Sequence, residues 1–214
     1  MRKNLYIIGA RGFGREVALG LSSWNGFCDQ YDIKGFLDDK ADALDGFSGY
    51  PPIVSSVEDF RPQENDVVIC GLGAVKWRRK YIDILLEKGA KFDTFVSPKA
   101  NVLRTARLGV GVLIGLGGNV GVSADVSIGD FVLVHDNAIF GHDTKLGNHV
   151  VVENGVFCGG FVEVGDGVTL HTRAVILPHQ KIGTNATVGA CSCVIRNVKA
   201  GSTVFGNPAQ RVDQ

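Results

Sequence analysis

Side chains that can move a proton are concentrated in the second half of this chain. All five histidines lie there, and two of them, His135 and His142, are each followed directly by an aspartate. Imidazole titrates near neutral pH, and a carboxylate beside it can fix its tautomer, so either His–Asp pair is suited to general base catalysis. Neighbouring residues on a strand tend to point apart, so the sequence leaves open whether each carboxylate reaches its own histidine.

A six-residue repeat carries these histidines. From Arg104 to Lys199 an aliphatic or small residue recurs at the first place of each hexad, from Val110 and Leu116 to Val194, and a second apolar column follows four residues later, from Ile114 to Val198. A strict period of six with frequent glycine predicts short strands joined by tight turns, wound into a parallel β-helix of about five coils. The histidines fall on turn-side or outward places: His135, His142, His149, His171 and His179.

Residues 1–96 follow another pattern, in which short apolar strands alternate with helical periodicity. The sequence predicts a small parallel sheet of the Rossmann type here, with the β-helix domain in residues 97–214. The predicted elements are strands at Leu5–Gly9, Ile33–Leu37 and Val67–Gly71, helices at Arg15–Leu21 and Ala74–Lys88, and a closing segment at Phe92–Val96.

Three loops should meet at the carboxyl edge of that sheet, where such folds bind ligands. They are GARGFG at Gly9–Gly14, the pair Asp38 and Asp39, and Gly71-Leu72-Gly73. The glycine order GxxGxG differs from the dinucleotide pattern GxGxxG, so the first loop alone does not separate a phosphate site from a tight turn.

Composition limits the classes of partner. Hydrophobic residues make up 45% of the 214 residues and the formal net charge is zero, which argues against nucleic acid as a partner. We expect a cytoplasmic protein without membrane span or signal peptide, since no run of eighteen apolar residues occurs. Five cysteines without CxxC spacing predict reduced thiols and no metal site, with Cys191 alone exposed enough to react.

The segments YIIGARGFGREVA, GFLDD, VSPKA, FGHDTKLG and VFGNPAQRV occur in this order along the chain. Together they resemble the bacterial hexapeptide-repeat acetyltransferases that modify nucleotide-activated amino sugars, and their sialic-acid O-acetyltransferase-like relatives. The resemblance implies a left-handed β-helix, a homotrimer, acetyl-CoA bound between neighbouring β-helices, and a UDP-linked amino sugar held by the N-terminal domain.

The resemblance also implies roles for individual residues. His142 matches the catalytic base and Asp143 the acidic residue that follows it, while His135 stands where relatives carry asparagine and is expected near the acceptor amine. The expected nucleotide-sugar contacts in the N-terminal domain are Gly9, Arg11, Gly12, Phe13, Gly14, Asp38, Asp39, Gly71 and Gly73.

Acetyl-CoA is expected along one edge of the coils. Backbone groups of Gly160, Thr172 and Ala190 are spaced by 12 and 18 residues and should pair with the pantetheine arm. Cations near the C-terminal end, Arg196 and Lys199 or Arg211, are expected at the CoA phosphates. Val151 stands where relatives carry a histidine near the thioester, so the contact there must differ.

Three other functions are kept as alternatives. A hydroxyl acceptor would make the protein a sugar O-acetyltransferase. A trimeric sugar-nucleotide-binding scaffold would explain the glycine loop without catalysis. A γ-type carbonic anhydrase would bind zinc through histidines, but His135 and His171 should lie two coils apart, too far for one metal ion.

Overall fold

The structure is a computed structural model and describes residues 2–212. The chain divides into two compact units, Met1–Thr94 and Phe95–Gln214. None of the helices among the described residues is long and apolar enough to cross a membrane.

The N-terminal unit is a five-stranded parallel sheet with strand order β3-β2-β1-β4-β5. The order reverses next to β1, so the loops after β1 and β4 flank the crevice where such sheets bind ligands. The elements are β1 (Lys3–Ile8), α1 (Gly12–Ser22), α2 (Phe27–Gln30), β2 (Tyr31–Leu37), β3 (Ile53–Ser55), β4 (Asp66–Cys70), α3 (Val75–Glu87) and β5 (Lys91–Phe92).

Two elements of this unit were missed by the sequence prediction. The helix α2 and the edge strand β3 have only four and three residues, too few to show a period. The predicted closing segment Phe92–Val96 is instead divided, since β5 ends at Phe92 and the next strand, at Phe95, pairs with Leu113 in the second unit.

The second unit is a parallel β-helix whose two- or three-residue strands form three sheets. The first face contains β6 (Phe95–Val96), β9 (Leu113–Ile114), β12 (Leu133–Val134), β15 (Val151–Val152), β18 (Thr169–Leu170), β21 (Thr187–Val188) and β23 (Thr203–Phe205), with β24 (Gln210–Arg211) added antiparallel. The second face contains β7 (Asn101–Val102), β10 (Gly121–Val122), β13 (Ile139–Phe140), β16 (Phe157–Cys158), β19 (Val175–Ile176) and β22 (Cys193–Val194). The third face contains β8 (Arg107–Leu108), β11 (Ser127–Ile128), β14 (Lys145–Leu146), β17 (Glu163–Val164) and β20 (Lys181–Ile182).

The predicted fold class, a small Rossmann-like domain followed by a left-handed parallel β-helix, is confirmed. Both predicted inward columns form the core from Val120 and Val122 onward, with Gln180 the one half-exposed member among the described residues. A polar member, Thr144, is fully buried and donates its hydroxyl to the carbonyl of Gly159 at 3.0 Å. Burying a hydroxyl is tolerated here because it is hydrogen-bonded.

The predicted register is wrong before residue 120. Val110 is 53% exposed, and the inward first-place residues there include Leu108 and Ile114. Pairing of Ile114 with Val134 spans 20 residues, whereas later coils span 18, so this coil carries two extra residues. The extra turn is held by Asp136, whose Oδ1 accepts the Leu116 amide at 2.9 Å.

Candidate active site and nucleotide cleft

His142 and Asp143 form a hydrogen-bonded pair at the turn between the second and third faces, here called the second corner. His142 Nδ1 lies 2.8 Å from Asp143 Oδ2. Asp143 has a φ of 60°, and this left-handed conformation turns its carboxylate back to the preceding imidazole. A carboxylate only accepts hydrogen bonds, so Nδ1 carries the proton and Nε2 keeps a free lone pair. The pair is therefore built to accept a proton at Nε2.

The imidazole of His142 rests on the backbone of the next coil. A Cβ placed on Gly160 would lie 2.9 Å from both Cε1 and Nε2 of His142, so a larger residue there would displace the ring from this position. Phe161 contacts the ring edge-to-face with centroids 5.1 Å apart, and His179 stacks on Phe161 at 4.9 Å. Among residues 2–212 the Gly160 N–H has no acceptor, and the His142 side chain is 60% exposed. A proton acceptor and a spare N–H donor thus share one solvent-accessible corner.

The N-terminal unit carries a cleft of about 450 Å³ at the carboxyl edge of its sheet. Neither helix that begins there has a capping side chain or an acidic residue in its first turn, α1 after Arg11 and α3 after Ala74. Uncapped helix N-termini favour anions, because their first amides lack partners and the dipole is positive there. The lining residues are Ile8, Gly9, Arg11, Leu37, Asp38, Asp39, Val57, Leu72, Gly73, Ala74, Trp77 and Tyr81.

The two aspartates of the cleft are held by the protein itself. Asp38 accepts the Ala10 amide at 2.8 Å and the Lys40 amide at 2.9 Å, which fixes the loop after β1. Asp39 accepts the Val57 amide at 3.1 Å and the Tyr81 hydroxyl at 2.7 Å. The hydrogen bond to Asp39, together with burial, raises the pKa of Tyr81 to about 12, so its phenol stays protonated. Both carboxylates are oriented before any ligand arrives.

Comparison with known proteins agrees with both units. Residues 4–85 match the PglD N-terminal domain family. The acetyltransferase domain of PglB from Neisseria gonorrhoeae FA1090, solved in complex with acetyl coenzyme A, is 25% identical with a TM-score of 0.85, over 99% of this chain and 100% of that chain. Over nearly its whole length the chain is therefore similar to a solved acetyltransferase domain.

Two more solved members of this fold are similar over nearly the full length. WeeI from Acinetobacter baumannii AYE is 27% identical with a TM-score of 0.80, over 97% of this chain and 99% of that chain. A histidine-to-asparagine mutant of perosamine N-acetyltransferase from Caulobacter crescentus, solved with CoA and GDP-perosamine, is 24% identical with a TM-score of 0.86, over 99% and 97%. No curated protein matches the chain in sequence.

The other candidate base, His135, lies at the turn between the first and second faces, here called the first corner. His135 and His142 therefore flank opposite edges of the second face within one chain. Asp136 Oδ1 accepts the Leu116 amide at 2.9 Å, so this carboxylate also holds the turn after β9.

A second imidazole–carboxylate pair, which the sequence analysis missed, lies at the first corner. His171 Nδ1 is 3.0 Å from Glu153 Oε1, and Glu153 Oε2 accepts both the amide and the hydroxyl of Thr172. Desolvation alone would raise the pKa of Glu153, but the hydrogen bonds from Thr172 and the nearby His171 lower it overall. Glu153 and His171 are 18 residues apart, which is one coil of the β-helix, and this spacing was the signal in the sequence for their contact.

The residues predicted to bind acetyl-CoA do not lie on one edge. Gly160 follows β16 at the second corner, whereas Thr172 and Ala190 precede second-face strands at the first corner, because 12 residues are only two thirds of a coil. The Thr172 amide is bound to Glu153, so it is not available to a pantetheine arm. Val151 is 2% exposed and offers no surface for contact. Arg196 and Lys199 are exposed, and Arg196 shares the second corner with Gly160.

Only some of the residues predicted to contact the nucleotide sugar line the cleft. Gly9, Arg11, Asp38, Asp39 and Gly73 line the cleft, whereas the following four predicted residues do not: Gly12, Phe13, Gly14 and Gly71. A Cβ on Gly14 would lie 1.8 Å from the Gly9 carbonyl oxygen, and one on Gly71 would lie 2.9 Å from the Gly14 Cα. These two glycines let α1 pack against the strand ends and do not make room for a ligand.

Two features of the thiols and ionisable groups remain. Cys28 is exposed as well as Cys191, because the short α2 buries Phe27 and leaves Cys28 outside, so the prediction that Cys191 alone is exposed is wrong. Within residues 2–212, no group of three His, Cys, Asp or Glu side chains is arranged to hold a metal ion.

Proposed function

We propose that this protein transfers the acetyl group of acetyl-CoA to the amine of a nucleotide-linked amino sugar, with His142 as the general base. The observation that carries the proposal is the His142–Asp143 pair, whose free Nε2 lies against Gly160. The solved relatives support the substrate classes, since one holds acetyl coenzyme A and another holds CoA with GDP-perosamine.

The transfer is direct. The neutral amine of the sugar attacks the thioester carbonyl carbon, a C–N bond forms, and Nε2 of His142 takes the amine proton. The Gly160 N–H donates to the developing oxyanion. The C–S bond then breaks, and the imidazolium returns the proton to the departing thiolate of CoA. Asp143 holds Nδ1–H and stabilises the imidazolium while the charge is present.

The nucleotide is assigned to the cleft of the N-terminal unit. Its diphosphate would meet Arg11 and the N-termini of α1 and α3, and Asp38 and Asp39 would accept hydroxyl or ring N–H groups. Our proposal for the nucleotide is UDP, and a guanosine nucleotide is the alternative that the perosamine enzyme suggests.

A homotrimer is part of the proposal. The outward residues of the second face form an apolar stripe between the two corners, with Ile139 48% and Phe157 40% exposed. Packing this stripe against a neighbouring subunit would remove apolar surface from water and enclose a cofactor beside His142.

The test measures free thiol released from acetyl-CoA by the purified protein. The acceptors are UDP- and GDP-linked 4-amino sugars, the same nucleotides with sugars lacking the amine, and free sialic acid. Release with an amino sugar, lost in His142→Ala while the melting temperature is unchanged, supports the proposal. Release only with a hydroxyl acceptor would make the protein an O-acetyltransferase, and no release with any acceptor would favour the scaffold.

A further inference from the structure

Trp77 is an exposed aromatic residue on the rim of the nucleotide cleft. Trp77 is 47% exposed, so much of its indole is in water, although burying an indole removes more apolar area from water than burying almost any other side chain. It is the third residue of α3, so its Cα lies about 4.5 Å along the helix axis from the N-cap Ala74. It lines the cleft together with Asp39 and Tyr81.

The surroundings of Trp77 hold it as part of a larger surface. Tyr81, one turn later, is stacked against it with ring centroids 6.2 Å apart and an interplanar angle of 25°. The Tyr81 hydroxyl donates to Asp39, which ties this second ring to the cleft. The ammonium groups of Lys76 and Lys80 lie 5.4 Å and 5.8 Å from the centre of the indole. The platform is therefore aromatic and anchored, and two ammonium groups lie over the indole ring.

We infer that Trp77 is the surface on which the base of the nucleoside diphosphate stacks. Every nucleobase has a flat π face, and stacking on an aromatic side chain is a general way to bind one. In this arrangement the phosphates lie at the helix N-termini, the base lies on Trp77 in the first turn of α3, and Asp39 stands next to Tyr81. The inference rests on the proposed function for the substrate class and adds the residue that binds the base.

The chain offers a direct optical test, because it has two tryptophans, Trp24 and Trp77. Trp24 packs edge-to-face against Phe27 and does not line the cleft. Trp24→Phe leaves Trp77 as the sole indole, and Trp77→Phe is the matched control that leaves Trp24. Each variant is titrated with UDP, with GDP, and with inorganic pyrophosphate, which has no base.

Quenching by UDP or GDP is expected in Trp24→Phe and not in Trp77→Phe, with no quenching by pyrophosphate. Calorimetry should then show that Trp77→Ala weakens binding of the nucleoside diphosphate by about tenfold or more, while pyrophosphate binding is unchanged. Because Trp77 is exposed, Trp77→Ala should still fold, and its melting temperature checks this. If calorimetry detects nucleotide binding but Trp77 emission does not change, or if Trp77→Ala binds like the wild type, the inference is overturned.

Failure of this inference is distinguishable from failure of the proposed function. Trp77 does not touch the reacting atoms, so Trp77→Ala should raise the KM for the sugar nucleotide and leave kcat near that of the wild type. Thiol release with an unchanged KM would overturn the role of Trp77 and leave the enzyme assignment standing. Nucleotide binding on Trp77 without thiol release from any acceptor would support the role of Trp77 and overturn the enzyme assignment.

Discussion

Gly160→Ala is the substitution that tests the geometry of the candidate base most sharply. The added Cβ would lie 2.9 Å from Cε1 and Nε2 of His142, whereas carbon atoms in ordinary contact are about 3.5–4.0 Å apart. The imidazole must therefore move by roughly 0.6–1 Å. A misplacement of about 1 Å can cost on the order of a hundredfold in rate, or about 2.7 kcal/mol. We expect kcat to fall by roughly 10- to 100-fold by the same reasoning.

Stability should hardly change in this variant. The atoms that must give way belong to the tip of a side chain that is 60% exposed, and the core of the coil is not touched. Gly117→Ala is the matched control: it lies in the turn between β9 and β10, and its Cβ would meet nothing within 4 Å. Its kcat should equal that of the wild type.

The assay is steady-state thiol release with acetyl-CoA and the amino-sugar nucleotide varied separately, beside thermal melting. A normal kcat in folded Gly160→Ala would show that the position of the His142 ring does not limit the reaction. A raised KM for acetyl-CoA with kcat unchanged would mean that Gly160 contacts the cofactor and does not position the base. Either result would refute the reasoning.

Three further predictions concern Asp143, Glu153 and the cysteines. Asp143→Asn should lower kcat by about tenfold without changing either KM, because the imidazolium loses its counter-charge in a corner that solvent partly screens; equal activity would remove Asp143 from the mechanism. The pKa of Glu153 is lower in the folded state, so the stability that this group contributes is present above its unfolded pKa and is lost as the pH falls through its folded pKa. In urea unfolding from pH 7 to pH 3, Glu153→Gln should therefore lose less stability than the wild type. Parallel curves of unfolding free energy against pH would contradict this. Iodoacetamide should label Cys28 and Cys191 in the native protein and leave Cys158 unmodified, as detected by peptide mass spectrometry, because burial raises the pKa of the Cys158 thiol to about 12. Early labelling of Cys158 would mean that the coil opens locally.

The interior of the β-helix was predictable because the repeat fixes it many times over. Each hexad repeats the same two inward places, so the columns from Val120 and Val122 follow from counting. The register before residue 120 was not predictable by the same means, because Val110 and Leu116 are as apolar as the true inward residues Leu108 and Ile114. Two extra residues after Ile114 shift the count, and the turn they form is held by a hydrogen bond from the Leu116 amide to Asp136, twenty residues away.

The roles of the glycines in the N-terminal unit could not be separated by sequence. Gly14 in α1 meets Gly71 in the loop after β4, so both glycines are required by a tertiary contact. Trp77 was assigned only to a predicted helix, because helical periodicity does not tell which outward residue stands at the rim of a cleft. The order of strands predicted the edge at which the cleft lies, and the side chains that shape it became visible only with the packing.

The pairing of Asp143 with His142 is the step that a rule about strands left open and that a rule about turns would have decided. A non-glycine residue with positive φ recurs at the same hexad place, as in Asp125, Asn137, Asp143 and Asn185. Asp and Asn tolerate this conformation because their short polar side chains bond locally, and two other members of the series, Gly155 and Gly167, need no such tolerance. A residue at that place is not on a strand, so it need not point away from its neighbour. The six-residue count that predicts the core therefore also predicts where the chain turns back, and at residue 143 that turn brings a carboxylate to the imidazole that precedes it.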